Sequence, residues 1–143
     1  MTKRCERPPV ADTALAVIKA AIKALKEAPA VAALVSERVF TDVPQREEFP
    51  YIVVSVQSEP FAANDFSGQT HQLRIQAFSR KPGSKEALQI RKAAVELLDR
   101  NEAVLVLEEG DLIKCEYSGL SDAFIEDDGK TWQSVCELKV VVI

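Results

Sequence analysis

The chain has 143 residues, 47% of them hydrophobic and 28% charged, with a net charge of −4. That is the composition of one ordinary domain, long enough to bury a core without metal or disulfide staples, and its negative balance argues against a protein that coats DNA or RNA. The longest apolar runs are four to six residues, far short of the ~20 a membrane span needs.

The first ten residues, MTKRCERPPV, are basic but lack the apolar core of a signal peptide, so a cytoplasmic product is expected. Residues 1–11 carry charge and Pro8-Pro9 without periodicity and read as a flexible N-terminal arm. A single domain is expected over 12–143. Asp12 offers an N-cap for a helix that ends before Pro29. Leu15, Ile18, Ile22 and Leu25 fall at helical spacing, with Ala14, Val17 and Ala21 beside them and Lys19, Lys23, Lys26 and Glu27 opposite. Residues 30–35 suit one or two further helical turns, and 38–41 a short strand.

A polar turn punctuated by Pro44 and Pro50 then runs into Tyr51-Ile52-Val53-Val54-Ser55-Val56. Both alternate faces of this run are apolar, which predicts a central strand covered on both sides, beginning after Pro50 because proline lacks the ladder N–H. Residues 59–68, with Pro60, Asn64, Asp65 and Gly68, read as a loop that exposes Phe61 and Phe66. Residues 69–80 read as a strand with His71, Leu73, Ile75 and Ala77 on one face and Gln72, Arg74, Gln76 and Phe78 on a wetter one. Ser84 is the expected N-cap of a second main helix, whose buried face holds Ala87, Ile90, Ala94, Leu97 and Leu98, and Asn101 is its stop.

The last third reads as strands. One is short, over 103–107, before a turn at Glu108-Glu109-Gly110-Asp111. A longer one covers 112–125, with Ile113, Cys115 and Tyr117 on one face and Gly119 marking a bulge. Asp128-Gly129 makes a hairpin turn into the final strand, where Trp132, Cys136, Leu138, Val140 and Val142 share a face. Helix, strands, helix, strands predicts an α+β two-layer sandwich: a mostly antiparallel sheet with two main helices packed on one face.

The chemistry of a catalytic centre is missing from the pattern. Glycines are single and at turns, so no phosphate loop is present. The paired carboxylates Glu47-Glu48, Glu108-Glu109 and Asp127-Asp128 sit in turns, where nothing separates their pKa values. The three cysteines have no CxxC spacing and His71 is the only histidine, which argues strongly against a zinc site; no catalytic, cofactor-binding or metal residues are assigned. Cys115 and Cys136 read as small core residues, a disulfide between them being the sharper alternative. His71 reads as structural.

Three stretches together carry a resemblance. They are Arg38-Val39-Phe40 with Val43-Pro44-Gln45 and Phe49-Pro50-Tyr51-Ile52-Val53; Phe78-Ser79-Arg80 with Gly83 and Glu86-Ala87; and Asp128-Gly129-Lys130-Thr131-Trp132 before a last strand. In this order, after an amphipathic helix, the chain resembles the tail-completion proteins of long-tailed bacteriophages, also called tail terminators or tail-to-head joining proteins. The resemblance covers roughly 12–143 and leaves the arm outside. It implies a structural virion protein, without catalysis or cofactor. The implied assembly is a ring, usually of six copies, at the head-proximal end of the tail, assembled in the bacterial host cytoplasm. The ring would touch the tail tube protein and the head–tail connector proteins, with DNA only passing through its bore and no membrane contact. A ring needs one face of a subunit to meet a different face of the next. On that reading the candidate interface residues are Phe61, Asn64, Asp65 and Phe66 in 59–68, and Arg46, Glu47 and Phe49 in 43–49. Two alternatives stand beside it: another virion ring subunit, connector or tail tube, and a small cytoplasmic enzyme or ligand-binding domain with its site around His71, Asp65 and Tyr117.

Overall fold

A computed structural model describes residues 12–63 and 66–143, the side chains of residues 62, 63, 66 and 120 excepted; the predicted arm over 1–11 lies outside the described residues. Among the described residues, helices α1 (Ala14–Glu27), α2 (Pro29–Val35) and α3 (Lys85–Leu98) accompany five strands: β1 (Val39–Phe40), β2 (Tyr51–Ala63), β3 (Phe66–Ser79), β4 (Leu112–Ile125) and β5 (Trp132–Val142). The strands form one sheet in the order β1-β2-β3-β5-β4, parallel between β1 and β2 and antiparallel elsewhere. The helices cover one face of it, as expected for the α+β sandwich.

Local chemistry explains the element ends. The Asp12 carboxylate accepts the Ala14 N–H at 3.1 Å, so it caps α1 from one position further out than the geometric cap, Thr13. Pro29 opens α2, where its missing N–H is no loss. Ser84 does occupy the cap position of α3, but its hydroxyl makes no capping bond, which corrects the sequence expectation. Glu86, in the first turn, instead accepts from Ser79 Oγ at 2.7 Å. At the other end the Asn101 amide donates to the Leu97 carbonyl at 3.0 Å, and Arg100 takes the positive φ of 54° that lets the chain leave.

The core joins Val17, Ala21 and Leu25 of α1, Val31 and Val35 of α2, and Ile90, Ala94 and Leu98 of α3 to Ile52, Val54, Leu73, Ile75, Cys136, Leu138 and Val140 of the sheet. On α3 the predicted face is buried, with Leu97 half-buried at its margin. On α1 the face is rotated: Ala16, Ala20 and Ala24 are buried, while Leu15 is 61% exposed. Small residues let this helix lie close to the sheet, and that closeness outweighs the larger side chains of the neighbouring stripe.

Four further expectations are corrected. The run beginning at Tyr51 is not covered on both sides: Ile52 and Val54 face the helices, and Tyr51 and Val53 lie half-buried on an open sheet face. Residues 59–68 are not a loop, because β2 and β3 stay in unbroken register out to Ala63 opposite Phe66. Pro60 is tolerated since β2 is an edge strand there, β1 reaching only Ile52 and Val53. Residues 103–107 form no strand; a 3₁₀ turn, Glu102–Val104, replaces it. Ile113 does not share a face with Cys115, because the register slips by one residue between Leu112 and Lys114 and leaves Ile113 half exposed. The bulge expected at Gly119 is present, with a second register shift between Tyr117 and Ser121 and a φ of 82° at the glycine.

Candidate functional site

The turn over 43–49 and the hairpin end of the sheet form one structure. Phe49 folds back onto Tyr51, with ring centroids 4.9 Å apart, and Tyr51 stacks on Phe78 at 5.1 Å. The Arg80 guanidinium lies 4.4 Å above the Phe49 ring and 3.8 Å from the Asp128 carboxylate, and donates to Thr131 Oγ1 at 3.2 Å. Arg80 thus ties the turn to the 126–131 hairpin. Asp128 accepts from the Lys130 and Thr131 N–H groups and from the Thr131 hydroxyl. Those hydrogen bonds hold its carboxyl down to about 2. Glu126 shifts the other way, raised first by burial and then by the neighbouring Asp128 charge. Of the three turn candidates, Phe49 is packed and half-buried, Glu47 is half-buried, and Arg46 is exposed with a φ of 61°.

The second candidate stretch is an arm. β5 ends opposite Gln69, so the pairs Phe61–Gly68, Ala62–Ser67 and Ala63–Phe66 continue as a two-stranded hairpin past the body of the sheet. Three pairs extend it by about 10 Å. Phe61 is half-buried on this arm; Asn64 and Asp65, and the side chain of Phe66, lie outside the described residues. Gly68 sits against the end of β5, where a Cβ would run into the Val142 carbonyl oxygen and Ile143. Only glycine allows that approach.

At the base of the arm lies a buried polar knot. Gln69 Oε1 accepts from the Thr13 N–H at 2.8 Å and from the Thr13 hydroxyl at 3.0 Å. With that proton committed, Thr13 Oγ1 accepts from His71 Nε2 at 2.8 Å, and Ser58 Oγ donates to His71 Nδ1 at 2.6 Å. His71 is fully buried, and burial lowers its pKa. The knot joins the start of α1 to β2 and β3 and leaves no path for a ligand to the imidazole. His71 is level with Cys115 across the sheet, whereas Tyr117 lies one step further along β4 and donates its hydroxyl to Ser121. The trio His71, Asp65 and Tyr117 is therefore not assembled by the described residues.

Among the described residues no group of His, Cys, Asp or Glu is gathered to hold a metal ion, and no helix is long and apolar enough to cross a membrane. Cys115 and Cys136 are both buried and unpaired, with thiols pushed up by burial to about 12 and about 11. They are expected to stay silent to a water-soluble thiol reagent in the native protein and to react only as it unfolds. Fast labelling of either one under native conditions would contradict their place in the core.

None of the curated protein sequences matches this chain. Among solved structures, a chain from a structure described as the virion of a native gene transfer agent particle superposes with a TM-score of 0.83 at 20% identity, over 91% of this chain and 96% of that one. At that identity the likeness is one of fold. The sequence profile of the family described as Tail completion protein gp17 matches residues 19–143, from within α1 to the last residue of the chain. A match across almost the whole fold makes this a structural phage-type protein rather than an enzyme, and the chain belongs to the tail completion protein family.

Proposed function

We propose that the protein terminates a phage or prophage tail, forming a ring, six copies on the family's pattern, that closes the head-proximal end of the tail tube and joins it to the head–tail connector. The observation that carries this reading is the family match over 19–143, which takes in the arm and the turn as well as the core. In this reading the arm, with Phe61, Asn64, Asp65 and Phe66, and the turn, with Arg46, Glu47 and Phe49, are contact elements for neighbouring copies, the tube or the connector. The turn precedes β2 and the arm lies at its other end, which supports contacts on two sides of the subunit. The net charge of −4 suits a bore through which DNA passes without sticking, since basic walls would bind phosphates.

The test is removal of the gene from its phage or prophage. Tails of uncontrolled length, with heads left unjoined, are the expected result, and the purified protein should restore joining in extracts. Tails of normal length with normal joining would sink the proposal. Absence of any tail tube would assign the protein to the tube itself, and heads that fail to retain DNA would assign it to the connector.

A further inference from the structure

A sheet edge that is left open serves as a template for a foreign strand. At the β4 edge the chain uses its own connecting segment. After α3 the Arg100 N–H donates to the Cys115 carbonyl at 2.8 Å, and the Asp99 carboxylate accepts from the Tyr117 N–H at 2.8 Å. At the opposite edge β1 pairs only with Ile52 and Val53 of β2.

The ladder fixes which backbone groups β2 turns outward. In an antiparallel pair a residue turns its N–H and C=O to the same side, and successive residues alternate. The Ile52 N–H donates to the Arg38 carbonyl at 2.9 Å, on the side away from β3, and the β2–β3 register is unbroken from Tyr51 to Ala63. Val54, Val56, Ser58 and Pro60 therefore point outward as Ile52 does, while Ser55, Gln57, Glu59 and Phe61 point to β3. Past the end of β1, among the described residues, no strand pairs with the outward groups of Val56 and Ser58. Residues 57–60 are all exposed. Pro60, which has no N–H, ends the row of donors.

The start of the described chain is held beside this row. Thr13 Oγ1 and Ser58 Oγ bind the two nitrogens of the one His71 ring, and the Thr13 N–H is fixed by Gln69. Residues 1–11 precede that point. Extended, they reach up to about 36 Å, whereas 54–58 spans about 13 Å. They carry Lys3, Arg4 and Arg7 against Glu6, and the exposed Glu59 is the one carboxylate of β2. Residues 2–7 keep every backbone N–H, whereas Pro8 and Pro9 have none, so pairing by 2–7 stops before the chain turns in to Thr13. A charged strand ended by proline is also the kind that closes a sheet, because it offers little to a further strand.

We propose that residues 2–7 add to the β2 edge of their own chain over 54–58, running from Val54 toward Ser58 and so parallel to β2, as β1 does. The contact closes the stretch of edge that β1 leaves, and it does not depend on the ring reading.

Amide hydrogen exchange on the full chain tests it. The outward Val56 and Ser58 amides should be protected along with the inward Gln57 and Glu59 amides. Deleting residues 2–10 should lower protection of Val56 and Ser58 by about tenfold, the scale of one net backbone hydrogen bond, and leave Gln57 and Glu59 within about twofold. Arg4→Pro together with Cys5→Pro keeps the length of the segment, removes two donors and should have the same effect. Unchanged Gln57 and Glu59 amides show that each variant is folded. Fast exchange at Val56 and Ser58 in the full chain would overturn the proposal. Protection that survives both variants would also overturn it and give the edge to another occupant. Isotope-labelled deleted chain mixed with unlabelled full chain should stay unprotected at Val56 and Ser58; protection regained there would mean that a neighbouring copy supplies the segment, which overturns pairing within the chain.

Discussion

Replacing Leu138 by alanine is expected to cost the folded protein about 2–5 kcal/mol, the largest loss from any single change in the sheet. Leu138 is fully buried on β5, with Leu73 of β3 on one side and Tyr117 of β4 on the other. Removing its side chain deletes apolar contact at the line where those three strands are held together, and the flanking backbone is fixed by ladders on both sides, so the cavity collapses poorly. Domains of this size have a net stability of about 5–15 kcal/mol, so the variant should unfold at a much lower urea concentration with an unchanged slope. Leu15→Ala is the control. Leu15 is as large but 61% exposed, and its loss should change stability by less than about 0.5 kcal/mol. A Leu138→Ala cost below about 1 kcal/mol would mean that the three strands do not meet at this side chain.

How much of this was legible in the sequence depended on how local the deciding interactions were. The face of α3 was readable because Ala87, Ile90, Ala94 and Leu98 repeat at one helical period, with charged residues between them. The α1 pattern contained two adjacent stripes, one of large residues and one of alanines. Choosing between them required knowing that the helix lies close against the sheet. Val53 and Tyr51 made β2 look buried on both sides, because their partners on the open face, Phe49 and Phe78, come from a turn and from another strand. The 59–68 stretch held the correct residues for a projecting element, yet Pro60 and the dispersed turn residues hid the strands. What decides there is the ladder of 59–63 to 66–70, and ladder pairing leaves no periodic trace in so short a segment. Gly119 announced its bulge; nothing in the residues around Ile113 announced the other. The tie from Arg80 to Phe49, Asp128 and Thr131 joins residues up to 82 positions apart in the chain and was invisible for the same reason. The Asp-Gly hairpin, by contrast, was readable in full, since its hydrogen bonds all lie within six residues.

Between about pH 5.5 and 7 the pH dependence of stability should trace chiefly to one residue. Burial lowers the His71 pKa in the folded chain, the Asp12 carboxylate offsetting part of that shift, while the unfolded chain titrates at the ordinary value of about 6.5. Above that pH the imidazole is neutral in both states, and the full stability is present. As the pH falls below it the unfolded chain takes up a proton that the folded chain refuses, so stability drops, with a slope of up to about 1.4 kcal/mol per unit, until the folded pKa is passed. His71 is the only histidine, so a window of roughly pH 5.5–7, above the carboxylate range, isolates it. His71→Ala should lose about 2–4 kcal/mol at pH 8, because it empties a fully buried site and removes the acceptor for Ser58 and the donor to Thr13. The same variant should be flat with pH across the window. Urea unfolding of both proteins at pH 5.5, 6.5 and 8 measures the two effects together, and an equal slope in the variant would show that the proton goes elsewhere. The knot stands at the root of the arm, through Ser58 on β2 and Gln69 on β3, so its loss should also lower protection of the Glu59 and Phe61 amides from hydrogen exchange before the β5 core is touched.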